Sequence, residues 1–150
     1  MFDVARVREG EFLKNDLTGK LEEMLEHVQF ISGKAPALVE EYRASLRARV
    51  AELLEASNID ESRIAQEVTI YADKVCVDEE LVRLRSHIEA TMEELTRGGS
   101  VGRKLDFIAQ EMNRESNTIL SKSDDREVSD HAIELKTSVE KIREQVQNIE

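Results

Sequence analysis

Glu80, Arg83, His87, Thr91 and Glu94 recur at spacings of three and four, so a helix through them carries all five along one stripe. A carboxylate and an imidazole seven residues apart, Glu80 and His87, then share a face, and with a carboxylate from another helix they could hold a divalent cation. A boundary histidine hydrogen-bonded to a neighbour would give the same pattern. A second polar concentration lies about twenty residues on. There Lys104, Glu111, Glu115, Thr118 and Lys122 form one stripe, and Asp106, Gln110, Asn113 and Asn117 form another, while Arg103, Phe107 and Arg114 lie opposite the apolar face. Asn and Asp are mediocre helix formers that favour caps and turns, and a merely solvated face would use Glu, Lys and Ala. Their concentration here points to a buried polar network or to ligand contacts.

Other familiar chemistry is missing from the sequence. It has no Gly-rich phosphate loop ending in Lys-Ser/Thr, no CxxC and no HExxH. The single cysteine, Cys76, rules out an intramolecular disulfide framework, fits a reducing cytosol, and reads as a buried thiol at a helix end. His27, beside an apolar seam, reads as structural, and His131 as a surface residue or a ligand of a second site.

The charge distribution marks the same region. Lys and Arg total 21 against 32 Asp and Glu, a net charge of −11 over 150 residues. Spread evenly, that charge would repel nucleic acid and anionic membranes. Between Arg83 and Arg126, however, eight basic residues face eight acidic ones, so the acidic excess lies wholly outside this stretch. A neutral, Arg-rich middle is the local exception that a phosphate-bearing partner requires, although intrahelical salt bridging would produce the same balance.

The elements that must position these residues are helical. Aromatics are 4% of the chain, with 6 Gly, 1 Pro and no Trp, which argues against sandwiches and barrels. Nothing approaches an 18-residue apolar run, and the reading is of a cytoplasmic protein. Leu17, Leu21, Met24, Val28, Ile31, Ala35, Leu38 and Tyr42 alternate gaps of four and three, the spacing of a coiled-coil seam, and the series continues with a stutter through Leu46, Val50 and Leu53. Because the seam keeps phase across Gly33 and Pro36, one long helix is predicted over about 11–56, kinked or straight at those residues. A helical bundle follows over about 60–122. Its first helix starts from Asp60 as N-cap and buries Ile64, Val68 and Tyr71. The next starts from Asp78 as N-cap, buries Leu81, Leu84, Ile88, Met92 and Leu95, and stops at Gly98-Gly99. The third runs from about Ser100 to Ser121 with Leu105, Ile108, Met112 and Ile119 inward. A C-terminal helix over about 127–149 repeats the four–three seam from Val128 to Ile149. The fold class is therefore all-α, with long coiled-coil-like helices plus a smaller helical bundle. A helix of that length extends roughly 68 Å, beyond a globule of this mass, so part of its seam calls for self-association or a partner domain.

Several segments carry a resemblance. Glu79-Glu80-Leu81-Val82-Arg83-Leu84-Arg85-Ser86-His87-Ile88 is one, and the run from Gly98-Gly99-Ser100-Val101-Gly102-Arg103-Lys104-Leu105-Asp106-Phe107 through Glu111-Met112-Asn113-Arg114-Glu115-Ser116-Asn117 to Ser121-Lys122-Ser123 is another. With Glu11-Phe12-Leu13-Lys14, Ala65-Gln66-Glu67-Val68 and the ending from Arg143 to Glu150, they resemble the YicC/YloC family of bacterial stress-associated endoribonucleases over nearly the whole chain. The resemblance implies a metal-dependent, manganese-favouring endoribonuclease (Mg2+ being the other option) that acts on single-stranded or structured RNA within a hexameric homo-oligomer. It also implies an N-terminal α/β domain ahead of the helical part, which this sequence lacks. In its light, Glu80, His87, Glu111 and Glu115 are the metal-ligand candidates, and His87, Glu111 and Glu115 the catalytic ones. Arg83, Arg103, Lys104, Arg114 and Lys122 are candidates for phosphates, and Asn113 and Asn117 for sugar or base edges. His87 could alternatively act as general base for a ribose 2′-OH. The rival reading is a non-catalytic helical oligomerisation or RNA-adaptor module, in which the polar stripes only join helices.

Overall fold

The computed structural model describes the backbone of residues 2–54, 59–98 and 102–149, with side chains over 10–54, 59–98 and 102–148. Five helices occupy these residues in the order α1 (Phe2–Leu53), α2 (Glu61–Val75), α3 (Asp78–Arg97), α4 (Gly102–Lys122) and α5 (Arg126–Ile149). The fold is all-α. The predicted end of the long helix at Ala56, the Gly99 of the predicted stop, and the helix start at Ser100 lie outside the described residues.

The first helix begins earlier than the seam announces, at Phe2 rather than Glu11. Residues 2–9 contain no Pro or Gly, so nothing in the backbone stops the helix from extending past its packed face. Pro36 lies inside α1 without ending it. Proline removes one donor and leaves the carbonyl four residues back, on Ser32, without its partner, but Ser32 is exposed and water can satisfy it. Asp60 caps α2 as expected, accepting from the backbone N–H groups of Ser62 (3.0 Å) and Arg63 (3.3 Å). Asp78 does not cap α3. It is the helix's first residue, and Val77 takes the cap position with no side-chain bond. Asp78 therefore contributes a negative charge at the positive end of the helix dipole. Gly98 closes α3 at φ 75°, ψ −172°, a backbone conformation that essentially only glycine adopts. Cys76 sits at the end of α2 but is exposed, not buried, because the neighbouring Val77 takes the buried place in the short connection.

The seam of α1 is covered within the chain over its first half. Leu17, Leu21, Met24, Val28 and Ile31 are buried together with Leu84 and Ile88 of α3 and Leu135, Val139 and Ile142 of α5. Polar pairs fix α5 antiparallel to α1: Gln145 donates to Asp16 (2.7 Å), His131 meets His27, and Lys34 reaches Asp125 (3.1 Å) and Glu127 (2.8 Å). Beyond Ile31 the seam is only half-buried, and α2 packs there through the stacked rings of Tyr42 and Tyr71, 3.9 Å apart. The Tyr71 hydroxyl donates to Asp124 (3.0 Å), and burial together with that carboxylate pushes its pKa up to about 12.

His27, expected to be structural, and His131, expected at the surface or as a ligand of a second site, form a junction between α1 and α5. Their Nδ1 atoms lie 2.7 Å apart, so one ring must accept while the other donates, and Phe30 stacks on His131 at 3.9 Å. Burial and the neighbouring His131 hold His27 below its ordinary value of 6.5, against the pull of Glu134, Glu23 and Glu26. A histidine depressed in the folded state binds fewer protons there than in the unfolded chain, so stability falls as the pH drops below 6.5 toward the folded value. Denaturant midpoints are expected to hold steady above that pH and fall below it. His27→Gln should flatten this slope, and an unaltered slope would remove the pair from the pH response.

Candidate metal centre and RNA face

The α3–α4 hairpin is a helical zipper whose polar edge is a ladder of charges. From the connection outward, Lys104 Nζ lies 2.7 Å from the Glu94 carboxylate, Arg83 Nη1 lies 3.8 Å from Glu115, and Lys122 Nζ lies 2.9 Å from Glu80. The pairs sit nearly symmetrically about the segment between Gly98 and Gly102, as antiparallel helices so few residues apart in sequence require. Spacing along each helix puts these residues beside the apolar face, and the buried Leu84, Ile88, Leu105, Ile108 and Met112 press the two polar edges together.

At the centre of the ladder the pattern changes. His87, Glu111 and Glu115 each offer a ligand atom, and these atoms all lie within 4.8 Å of one another. One imidazole nitrogen and two carboxylate oxygens suit a borderline-to-hard divalent cation. Glu115 is buried at 5% exposure, and among the described residues its carboxylate accepts no hydrogen bond. The Arg83 guanidinium is its nearest cation, and 3.8 Å is too far for a hydrogen bond. Two carboxylates with one distant cation leave an uncompensated negative charge, which a divalent cation would neutralise. The donor set therefore fits the metal that the resemblance implies. Thr91, buried one turn on, donates to the His87 carbonyl (2.8 Å) and so braces this stretch of α3.

Glu80, expected as a fourth ligand, is not brought into this cluster. Seven residues are two helical turns, about 10 Å along the axis, so Glu80 and His87 share a stripe without meeting at one point. Glu80 instead pairs with Lys122, which also donates to the Cys76 carbonyl (3.2 Å). Burial pushes its carboxyl up, but the bond from Lys122 and the nearby Arg83 hold it below the usual carboxylate range. Glu94 is likewise held low, chiefly by the bond from Lys104. Lys104 and Lys122, offered as phosphate contacts, are thus engaged by glutamates at the two ends of the ladder.

The second polar stripe of α4 divides. Asp106 accepts from Arg143 of α5 (3.2 Å) and from Gln110 (3.2 Å), and Asn113 is half-buried with its Oδ1 shielded and unpaired. Of these, Asp106 is tied to α5 through Arg143. Arg103, Arg114 and Asn117 are exposed, and among the described residues their side chains make no ion pair or hydrogen bond. Phe107 stands with them at 62% exposure. The sequence places it opposite the apolar face of α4 and assigns it no role. The signal available was an aromatic flanked by arginines at helical spacing.

Fold and site together describe a helical domain built around a polar hairpin. A family described as "Endoribonuclease YicC-like, C-terminal" matches residues 31–150, and the chain belongs to that family. A relative from Clostridioides difficile (strain 630), named "Probable endoribonuclease YicC", is 47% identical over 146 residues, covering 97% of this chain and 50% of the relative. A relative of the same name from Haemophilus influenzae is 40% identical over 149 residues, covering 99% of this chain and 51% of the relative. The chain thus spans about half the length of the curated relatives it matches. Among the described residues, no helix is long and apolar enough to cross a membrane.

Proposed function

We propose that this chain is the helical part of an endoribonuclease that cleaves RNA phosphodiester bonds with a divalent cation, Mn2+ before Mg2+, held by His87, Glu111 and Glu115. The observation that carries the reading is the convergence of those three donors on the α3–α4 hairpin, in a chain whose relatives are named as probable endoribonucleases. A cation bound there would polarise the scissile phosphate and lower the pKa of an attacking water. His87 and Glu111 are half-buried and Glu115 is buried, so the cluster lies at the edge of the hairpin with Glu115 as its most enclosed member. Arg83 stands beside Glu115 with its side chain more than half exposed, and although it also donates to Glu79 (3.1 Å), an exposed pair of that kind yields readily to a phosphate oxygen at the same point. Arg103 and Arg114 offer further phosphate contacts along α4. RNA as substrate, a homo-oligomeric assembly using the half-buried distal seam of α1, and a cytoplasmic setting that suits the free, exposed Cys76 belong to the same reading.

Calorimetric titration tests it directly. Mn2+ is expected to bind once per chain, and the Glu111→Gln, Glu115→Gln double variant to take up none; equal uptake by both moves the cation elsewhere. The ends of the RNA fragments test the chemistry. A 5′-phosphate is the expected product of water attack, whereas a 2′,3′-cyclic phosphate would assign the step to His87 as general base toward the ribose 2′-OH.

A further inference from the structure

Phe107 is an apolar side chain in the wrong company for a core or for a protein interface. Its stripe along the outer face of α4 is Arg103, Gln110, Arg114 and Asn117, all exposed. Protein-binding hot spots cluster apolar anchors in a desolvated centre, and this one stands alone among cations and amides. An aromatic ring flanked by arginines is instead the composition of single-strand nucleic-acid grooves, where bases stack on the ring and the cations follow the phosphates. Phe107 also stands one helical turn from Glu111, on the adjoining line of the helix surface. A base resting on the ring would therefore present its sugar and phosphate to the turn that holds the cluster.

We infer that Phe107 is a stacking platform for an unpaired RNA base, with Arg103 and Arg114 gripping the backbone on either side, so that the strand is led to His87, Glu111 and Glu115. This inference rests on the nuclease reading for its destination but not for its test. Stacking is blind to base identity, so the face selects for strand state and not for sequence. In a duplex the bases are already stacked on one another, and the ring has nothing to receive.

Binding is read in EDTA, where no cation-dependent cleavage intervenes, using a fluorescent oligouridylate, a fluorescent oligoadenylate and a blunt RNA hairpin. Phe107→Ala is expected to weaken both single strands about tenfold or more and to leave hairpin binding and the salt dependence unchanged. Arg114→Gln should weaken all three and lower the salt slope by about one. The chain contains no Trp, so Phe107→Trp adds a single reporter at this position, expected to keep the affinity and to be quenched by the single strands but not by the hairpin. Parental affinity in Phe107→Ala, equal loss on strand and hairpin, an unquenched tryptophan, or no RNA binding at all would each overturn the platform. Cleavage separates the two readings: loss in His87→Ala with normal strand binding by Phe107→Ala sinks only the platform. Cleavage that survives His87→Ala while Phe107→Ala loses strand binding sinks only the metal site.

Discussion

His87→Ala and Glu115→Gln are each expected to lower the turnover of RNA by about 100- to 1,000-fold while leaving the helical content and the affinity for RNA close to the parent's. The size follows from what is removed. A cation stabilising charge on a phosphoryl oxygen contributes several kcal/mol to the barrier, and each 1.36 kcal/mol is about tenfold in rate. With three protein donors converging among the described residues, the loss of one leaves too few to hold the ion at ordinary concentrations. The fold tolerates both changes. His87 is half-buried at the edge of the hairpin, and Gln keeps the volume of Glu115. Arg143→Ala is the control, since it breaks a polar contact to Asp106 on the far side of α4 and should leave turnover within about twofold. If the ladder served only to join helices, turnover would be unchanged in the cluster variants. Steady-state cleavage of one RNA at saturating Mn2+, read beside circular dichroism, distinguishes the outcomes.

Much of this hairpin was legible before any coordinates. The four–three spacing of Leu17 through Ile31 fixes which face of α1 is buried, because only a continuous apolar stripe can follow a neighbouring helix without loss of phase. The same spacing places Glu80, His87 and Glu94 on one edge of α3, and Glu111 and Glu115 on one edge of α4. Periodicity does not reveal register, which decides who meets whom. The helix stop at Gly98 sets it, and a reflection through the segment that follows pairs Glu94 with Lys104 and His87 with Glu111, a step available from sequence once the stop is recognised. That reflection excludes Glu80 from the cluster and consigns it to Lys122. The His27–His131 contact was beyond reach, since it joins residues 104 apart through the packing of α5 on α1. Cys76 was misread for a smaller reason: burial was inferred from residue type, whereas the two-residue connection has one inward place and Val77 fills it.

The two carboxylates of the cluster also set up a test that needs no RNA. Without a cation, Glu111 and Glu115 hold like charges with ligand oxygens within 4.8 Å, and Glu115 is buried. At that separation two unit charges repel by about 1 kcal/mol in water and by about 3 kcal/mol at an effective dielectric of 20, a cost that Arg83 at 3.8 Å offsets only in part. Glu115→Gln removes the repulsion and the buried charge together, so in EDTA this variant is expected to be more stable than the parent. Mn2+ should reverse the order. Ligands drawn from two helices converge only in the folded chain, so a cation binding the folded state alone adds stability by mass action, about 2.7 kcal/mol at a hundredfold excess over its dissociation constant. The parent should gain that increment and the variant should not, so that their denaturation curves exchange places as Mn2+ is added. Mn2+ that shifts both proteins equally, or neither, would mean that the charges at the centre of the hairpin are there for packing alone.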